Sequence, residues 1–462
     1  MMGLKRIATT AALMMATAIP AGAQSLADTM VKAYRHSALL EQNRAVLRAA
    51  DEDVASAVSA LRPVVEWVAE HGAQRIEGGT TTRSTSLDLN ISMTLYDFGR
   101  SQLAIDAAKE QVLATRQALV AVEQEVLLDA ADAYFAVLEG NQQVALQQNS
   151  VEVLTRERQA AQDRFDVGEI TVTDVALADA QLAATRASLA AAQGQLEIAR
   201  EAYRTATGEM PGRLSSPPSL PKLPSDLNEA RSIAQRTHPS ILQAQRVAAA
   251  AELGVAAAAA ERNPELSGSA NIGVTRAPRS SATPDSYASS NSSSIGLRLS
   301  QTIYSGGALS AAHRGAMADR DEARAQLLNG ARSLSQVVGE TWANIDVARA
   351  QIRAIDQQIS AAQQAYDGVR EEALLGARTT LDVLDAEQSL LEARADRITA
   401  ESNLQLAHYQ LLSAMGLLTV ENLKLGIPTY DPSQYYNAVR DAPYTSKQGE
   451  SLDRVLRAIG RD

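Results

Sequence analysis

The stretch Arg164-Phe-Asp-Val-Gly-Glu-Ile-Thr-Val-Thr-Asp-Val-Ala-Leu177 returns as Glu372-Ala-Leu-Leu-Gly-Ala-Arg-Thr-Thr-Leu-Asp-Val-Leu-Asp385. Gly168 is answered by Gly376, Thr171 by Thr379, Asp174 by Asp382 and Val175 by Val383, each 208 residues on. A glycine in the left-handed conformation stops a helix, and a Thr with an acid three residues later caps the next one. Both copies lie between long Ala- and Gln-rich stretches, so each predicts the tip of a long helical hairpin and the chain reads as a duplication.

Outward from the tips, Leu113, Val120, Leu127 and Tyr134 recur every seven residues, as do Leu119 and Val126, which is coiled-coil spacing. A single helix over 100–164 would run roughly 100 Å at 1.5 Å per residue. The hairpins are expected over 99–210 and 307–416. Ahead of each comes a different period. Leu87, Leu89, Ile91, Met93 and Leu95 alternate with Asp88, Asn90, Ser92 and Thr94, and Ile295, Leu297, Leu299 and Ile303 alternate with Gly296, Arg298, Ser300 and Thr302. That is the period-2 signature of strands with one apolar face. Strand pairs are therefore expected over 64–98 and 265–303, the second with a Ser-, Ala- and Pro-rich tip over 277–294.

A helix over 26–62, ended by Pro63, precedes the first pair. His36-Ser-Ala-Leu-Leu40 is answered by His238-Pro-Ser-Ile-Leu242 and Pro63 by Pro264. The first repeat thus covers 24–210, a Pro-rich linker 211–225, and the second repeat 226–424. The tail, 425–462, leaves the repeat. Residues 425–450 read as a surface strap or a partly disordered segment, and Leu452, Val455, Leu456 and Ile459 as a short amphipathic helix.

Composition narrows the function. Lys5 and Arg6 precede an apolar run from Ile7 to Ile19 and a small-x-small site ending at Ala23, the pattern of a signal peptide over 1–23. Its removal takes away two cations and no acids, moving the formal net charge from −11 to −13 and disfavouring nucleic acid and anionic lipid as partners. With no cysteine, disulfides, thiolate metal sites, a cysteine nucleophile and lipoprotein acylation are all excluded. The five histidines are scattered without ligand spacing, and no nucleophile motif or phosphate loop is present, so no metal, cofactor or enzymatic activity is expected.

Four strands with one apolar face, in an exported chain without a run of about 18 apolar residues, set a physical constraint. If the apolar faces meet lipid, open strand edges are not tolerated there, because each unpaired backbone group costs several kcal/mol. Four strands do not close a useful barrel. Copies must share the wall, two giving eight strands or three giving twelve. A secreted coiled-coil scaffold without a pore is the competing reading, but it needs no alternating strands.

The chain resembles the TolC-like outer-membrane channels of Gram-negative export systems over about residues 25–425. Leu95-Tyr-Asp-Phe-Gly-Arg100 and Gly376-Ala-Arg-Thr-Thr-Leu-Asp-Val-Leu-Asp-Ala386 carry the resemblance together with the duplicated plan. It implies a mainly α fold with membrane β-strands, built as a homotrimer with a twelve-stranded barrel in outer-membrane lipid and a twelve-helix tunnel in the periplasm. The tips, marked by Gly168, Thr171, Gly376 and Thr379, would meet a periplasmic adaptor coupled to an inner-membrane transporter of ABC or RND type, and their rearrangement would open the duct. Tyr96, Gly99, Tyr304 and Gly307 mark the joint between barrel and tunnel, Gly99 and Gly307 letting the backbone change direction, while Tyr96 and Tyr304, with Trp67, would either fill that joint or anchor at the membrane boundary.

The same resemblance implies that Asp382 and Asp385 form acidic rings at the tunnel mouth, and that Arg378 latches the second tip to the first through Thr173 and Asp174. Asp174 and Asp382 each also have a structural reading, as the acid of a helix cap. Arg378 and Asp385, by contrast, correspond to Ile170 and Leu177 in the first copy, so the shared turn does not require their charge. Asp382 and Asp385 share a helix face. One departure stands out: close relatives carry a tyrosine where this chain has Ala373, which implies fewer bonds across the closed tip. The absent lipoprotein cysteine leans toward the secretion branch of the family, while a shared duct would serve both protein secretion and drug efflux.

Overall fold

A computed structural model describes residues 23–75, 81–280 and 283–441, together with 447, 450, 451 and 454. The expected signal peptide up to residue 22, residues 76–80 of the first strand pair and the terminal helix at Leu452, Val455, Leu456 and Ile459 lie outside the described residues.

The two halves carry the same order of elements. In the first, α1 (Leu26–His36) and α2 (Ala38–Ser59) lead into β1 (Val64–Arg75) and β2 (Thr81–Tyr96), then α3 (Arg100–Asp166) and α4 (Val172–Thr207). In the second, α5 (Leu227–Thr237) and α6 (Pro239–Ala260) lead into β3 (Glu265–Ser280) and β4 (Thr283–Ser300), then α7 (Ala308–Leu374) and α8 (Thr380–Ala414). A short α9 (Pro432–Val439) follows. The helices α3 and α7 are 67 residues each.

The single helix expected over 26–62 is two helices. Ser37 turns out of helical geometry at φ −63° and ψ 111°, and its hydroxyl accepts from the Leu40 amide at 3.2 Å. At the matching place His238 is extended and Pro239 opens α6. Proline disfavours helix in the residue before it and fits a first turn. That proline is the signal in the sequence for both breaks.

The chain packs as two compact units. One contains the described parts of Glu41–Ala121, Arg236–Ser333 and Thr429–Asp462. Its sheet is antiparallel in the order β1-β2-β3-β4, so β1 and β4 are the edges. Register puts Leu89 between Trp67 and Ile272, Leu87 opposite Val274, Ile91 opposite Val65, and Leu299 opposite Leu266. Directly opposed residues share a face, so these side chains form one continuous apolar surface, with Trp67 70% and Ile295 89% exposed. The other face carries Asp88, Asn90, Ser92 and Asn271, and the Asn271 amide donates to Asn90 Oδ1 at 2.6 Å. The segment 277–294, expected as a turn, is mostly strand: Ala277 pairs with Ala288 and Pro278 with Tyr287. Ladder bonds override the weak strand preference of its Ser and Pro residues.

The same unit holds the tail. Asp431 caps α9, Tyr430 and Tyr436 lie beneath the guanidinium groups of Arg44 and Arg116 at 5.2 Å each, and the Tyr435 hydroxyl donates to Glu52 at 2.6 Å. Both Tyr430 and Tyr436 pack on the buried Leu47, Val54 and Val112. Residues 430–441 are therefore an ordered strap.

The second unit contains the described parts of Met1–Leu40, Val122–Gln235 and Leu334–Pro428, and so both hairpin tips. Tyr134, Tyr203, Leu127 and Leu411 are fully buried in it. Gln24 is stitched to the Pro-rich linker: its amide donates to Arg213 O at 2.8 Å and its carbonyl accepts from Ser215 N at 2.9 Å. Among the described residues no helix is long and apolar enough to cross a membrane.

Candidate functional site

Both tips are built by one backbone device. In the first, the Gly168 amide donates to Phe165 O at 2.9 Å and the Glu169 amide to Arg164 O at 2.9 Å. In the second, Gly376 donates to Ala373 O at 3.1 Å and Ala377 to Glu372 O at 2.9 Å. These are Schellman closures, which need a residue at positive φ. Gly168 has φ +84° and Gly376 φ +75°, values that cost an L side chain about 1–2 kcal/mol.

The restart is shared as well. Thr171 accepts from Asp174 N while Asp174 Oδ2 takes the Thr171 amide at 2.9 Å and its hydroxyl at 2.7 Å. Thr379 and Asp382 repeat this, with both bonds at 2.9 Å. The Thr171 hydroxyl and then its amide hold the Asp174 carboxyl below the usual carboxylate range, and the Thr379 amide and then its hydroxyl do the same for Asp382. Capping engages Oδ2 of each carboxylate and keeps the group ionised, so the capping reading of Asp382 is compatible with a charge at a tunnel mouth. Asp385, one turn further along α8, is exposed.

What differs is the charge that closes each turn. Arg164 Nε donates to Glu169 at 3.3 Å, whereas Arg378 Nε donates to Glu372 at 2.8 Å. Arg164 and Glu372 are equivalent positions, so the ion pair has reversed polarity in the second copy. Arg378 is thus engaged within its own turn in a single chain, and Thr173 and Asp174 are in the other tip, Thr173 exposed and Asp174 in its cap. Ala373, at the departed tyrosine position, is buried with Tyr366, Val383 and Leu390 between α7 and α8.

Sequence reading missed an apolar feature of the tips. Val167 and Val172 are 73% and 66% exposed, and Leu374 and Leu375 75% and 85%. The aliphatic residue ahead of each glycine, Val167 and Leu375, was the available signal.

The expected joints belong to the other unit and are unequal. At the first, Tyr96 meets Phe98 edge-on at 4.6 Å. Asp97 accepts from the amides of Gly99 at 3.2 Å and Ser101 at 2.7 Å, and Arg100 pairs with Glu265 at 2.7 Å. At the second, Tyr304 is 87% exposed, and the Ser305 hydroxyl takes the capping role, accepting from Leu309 N at 3.2 Å. Gly99 and Gly307 stand at φ +88° and +94°.

A sheet apolar on one side and polar on the other, followed in each half by a long helical hairpin, defines a protomer of an outer-membrane channel. A model of the outer membrane efflux protein family matches residues 30–209 and 230–417. The chain belongs to the outer membrane efflux protein family, whose members are channels of the outer membrane. It is 33% identical over 445 residues to the outer membrane efflux protein BepC of Brucella suis biovar 1 (strain 1330), covering 93% of this chain and 94% of that one. It is 26% identical over 447 residues to the outer membrane protein TolC of Escherichia coli (strain K12), covering 93% and 90%. A crystal structure of CusC superposes with a TM-score of 0.74 at 21% identity, covering 85% of this chain and 92% of that one, and has the same fold.

Proposed function

We propose that three copies of the chain join their sheets into a twelve-stranded barrel, and that their hairpins form a periplasmic tunnel serving as the exit duct of a tripartite export system. The observation that carries this reading is the continuous apolar face of a four-stranded sheet whose edges, β1 and β4, have no partner strand among the described residues. In hydrocarbon each unpaired edge group costs several kcal/mol, and pairing β4 of one copy with β1 of the next removes that cost. A scaffold without a pore leaves the apolar face in water.

The tips are the gate and the docking point. Asp382 and Asp385, repeated by threefold symmetry, place six carboxylates around one axis and favour cations. The exposed Val167, Val172, Leu374 and Leu375 offer an apolar surface for an adaptor that couples the duct to an ABC or RND transporter. Arg378 exchanges its Glu372 for Thr173 and Asp174 of the first-hairpin tip when the assembled mouth closes. Small molecules or proteins would pass through the same duct.

The test is the mature protein purified from outer membranes. A species that migrates as a trimer until heated and conducts ions in planar bilayers is expected; a dissolved monomer without conductance rejects the proposal.

A further inference from the structure

One polar cleft in the unit that carries the tips is not used by this reading. It has a volume of about 100 Å³ and lies between α3, which contributes Asn149, Ser150 and Val153, and the second hairpin, which contributes Gln363, Tyr366, Glu387 and Arg394. Glu387 is 7% exposed and Ser150 5%. Neither Glu387 Oε2 nor Ser150 Oγ has a hydrogen-bond partner. A carboxylate buried in this way is costly when ionised and tolerated when neutral.

The charged neighbours come from each packed element. From α3, Glu157 pairs with Arg370 of α7 at 3.3 Å. From α7, Tyr366 and Arg370 face the cluster, with Asp367 acting on Tyr366. On α8 itself Arg394 is held by Gln363, to which it donates at 2.6 Å, and from α4 the uncharged Gln181 reaches Gln388 beside Glu387 at 3.0 Å. Glu157 is thus paired with Arg370, whose charge also acts on the unpaired Glu387.

We infer that Glu387 is a proton-operated lock on the seam between the two hairpins: neutral, it lets α8 pack against α3 and α7; ionised, it admits water, competes with Glu157 for Arg370 and loosens the seam. Burial, reinforced by Glu157 and partly offset by Arg370, pushes the Glu387 carboxyl up from 4.5 to about 7. A raised carboxyl stabilises the packed form fully below its ordinary range, and that stabilisation is lost as pH climbs through about 7. The seam is tight in mild acid and loose in mild alkali. This follows from packing within one chain and does not depend on the tips being a gate.

The chain has no cysteine, so Glu152→Cys on α3 and Ser389→Cys on α8, both exposed, accept a unique spin-label pair. Full-length protein in lipid, labelled copies diluted with unlabelled ones, is measured by dipolar spectroscopy between about pH 5.5 and about pH 8.5. The expected distance distribution is narrow in acid and broad in alkali, with its midpoint near the Glu387 value. Glu387→Gln stays narrow throughout, and Glu157→Gln stays narrower in alkali than the unsubstituted protein, because Arg370 is then free to hold the ionised Glu387. A distribution independent of pH in the protein with Glu387, or a transition that survives Glu387→Gln, overturns the inference. A protonated-carboxyl infrared band that titrates in the same range and is lost in Glu387→Gln is the label-free counterpart; its absence from the unsubstituted protein also overturns it.

Discussion

The two hairpin tips share a backbone and differ in what they display. Each closes with a Schellman turn and reopens with a Thr-Asp capping box, so duplication has kept the geometry that fixes where one helix ends and the next begins. The second tip alone adds Arg378 and Asp385 where the first has Ile170 and Leu177. Features present in both copies are explained by the turn. Of those present in one, Arg378 pairs with Glu372 inside its own turn, whereas Asp385, exposed on α8, serves neither the turn closure nor the cap.

The largest break in the symmetry is expected from the acids. Replacing Asp382 and Asp385 together with Ala lowers the cation-to-anion permeability ratio on the order of tenfold in planar bilayers, while Asp174→Ala, which loses an equivalent cap, leaves selectivity unchanged. Equal effects from the two would place the selective charge elsewhere. Next comes Arg378. Its replacement by Ala raises closed-state conductance several-fold, and the exchange Glu372→Arg with Arg378→Glu decides why. The exchange restores an ion pair within the turn but puts an acid toward Asp174, so conductance stays raised if the arginine latches onto the first-hairpin tip and returns to normal if it only staples its own turn.

The tips were legible in the sequence because their residues act locally. A glycine, a Thr and an Asp at fixed offsets specify a helix stop and start without reference to anything distant, and the copies confirm one another. The strands were legible for the same reason, through Leu87, Leu89, Ile91 and their period of two. The break at Ser37 was not, since a serine is tolerated inside helices and only Pro239 in the other copy betrays it. The pairing of Arg378 with Glu372 was hidden because the partner lies six residues back across a turn whose closure had to be known first. The cluster around Glu387 was out of reach: Glu157, Arg370 and Glu387 come from three helices, and no spacing along the chain encodes their meeting.

A smaller and symmetric effect is expected from the caps. Thr171→Ala and Thr379→Ala each remove a capping oxygen at an exposed helix start and cost about 1 kcal/mol of local stability. The measurement is hydrogen exchange in the first turns of α4 and α8, which should accelerate to a similar degree. A marked inequality would mean that one cap is additionally held by the charges around it, with Arg378 near Asp382 the first to examine.

The smallest effect belongs to the ion pair of the first tip. Arg164 and Glu169 lie at 3.3 Å with side chains 29% and 60% exposed, a setting in which solvent screens most of the attraction and ordering two side chains costs entropy. Glu169→Ala should therefore change stability by about 0.5 kcal/mol or less and leave conductance as it was, checked by thermal unfolding and by bilayer recording. This near-silence sharpens the comparison. Arg378 and Glu372 are half-exposed too, at 50% and 51%, so screening limits their pair to a similar strength. If Glu169→Ala is silent and Arg378→Ala opens the channel, the difference does not come from the ion pair each turn makes with itself, and it must be carried by what Arg378 touches in the assembled mouth.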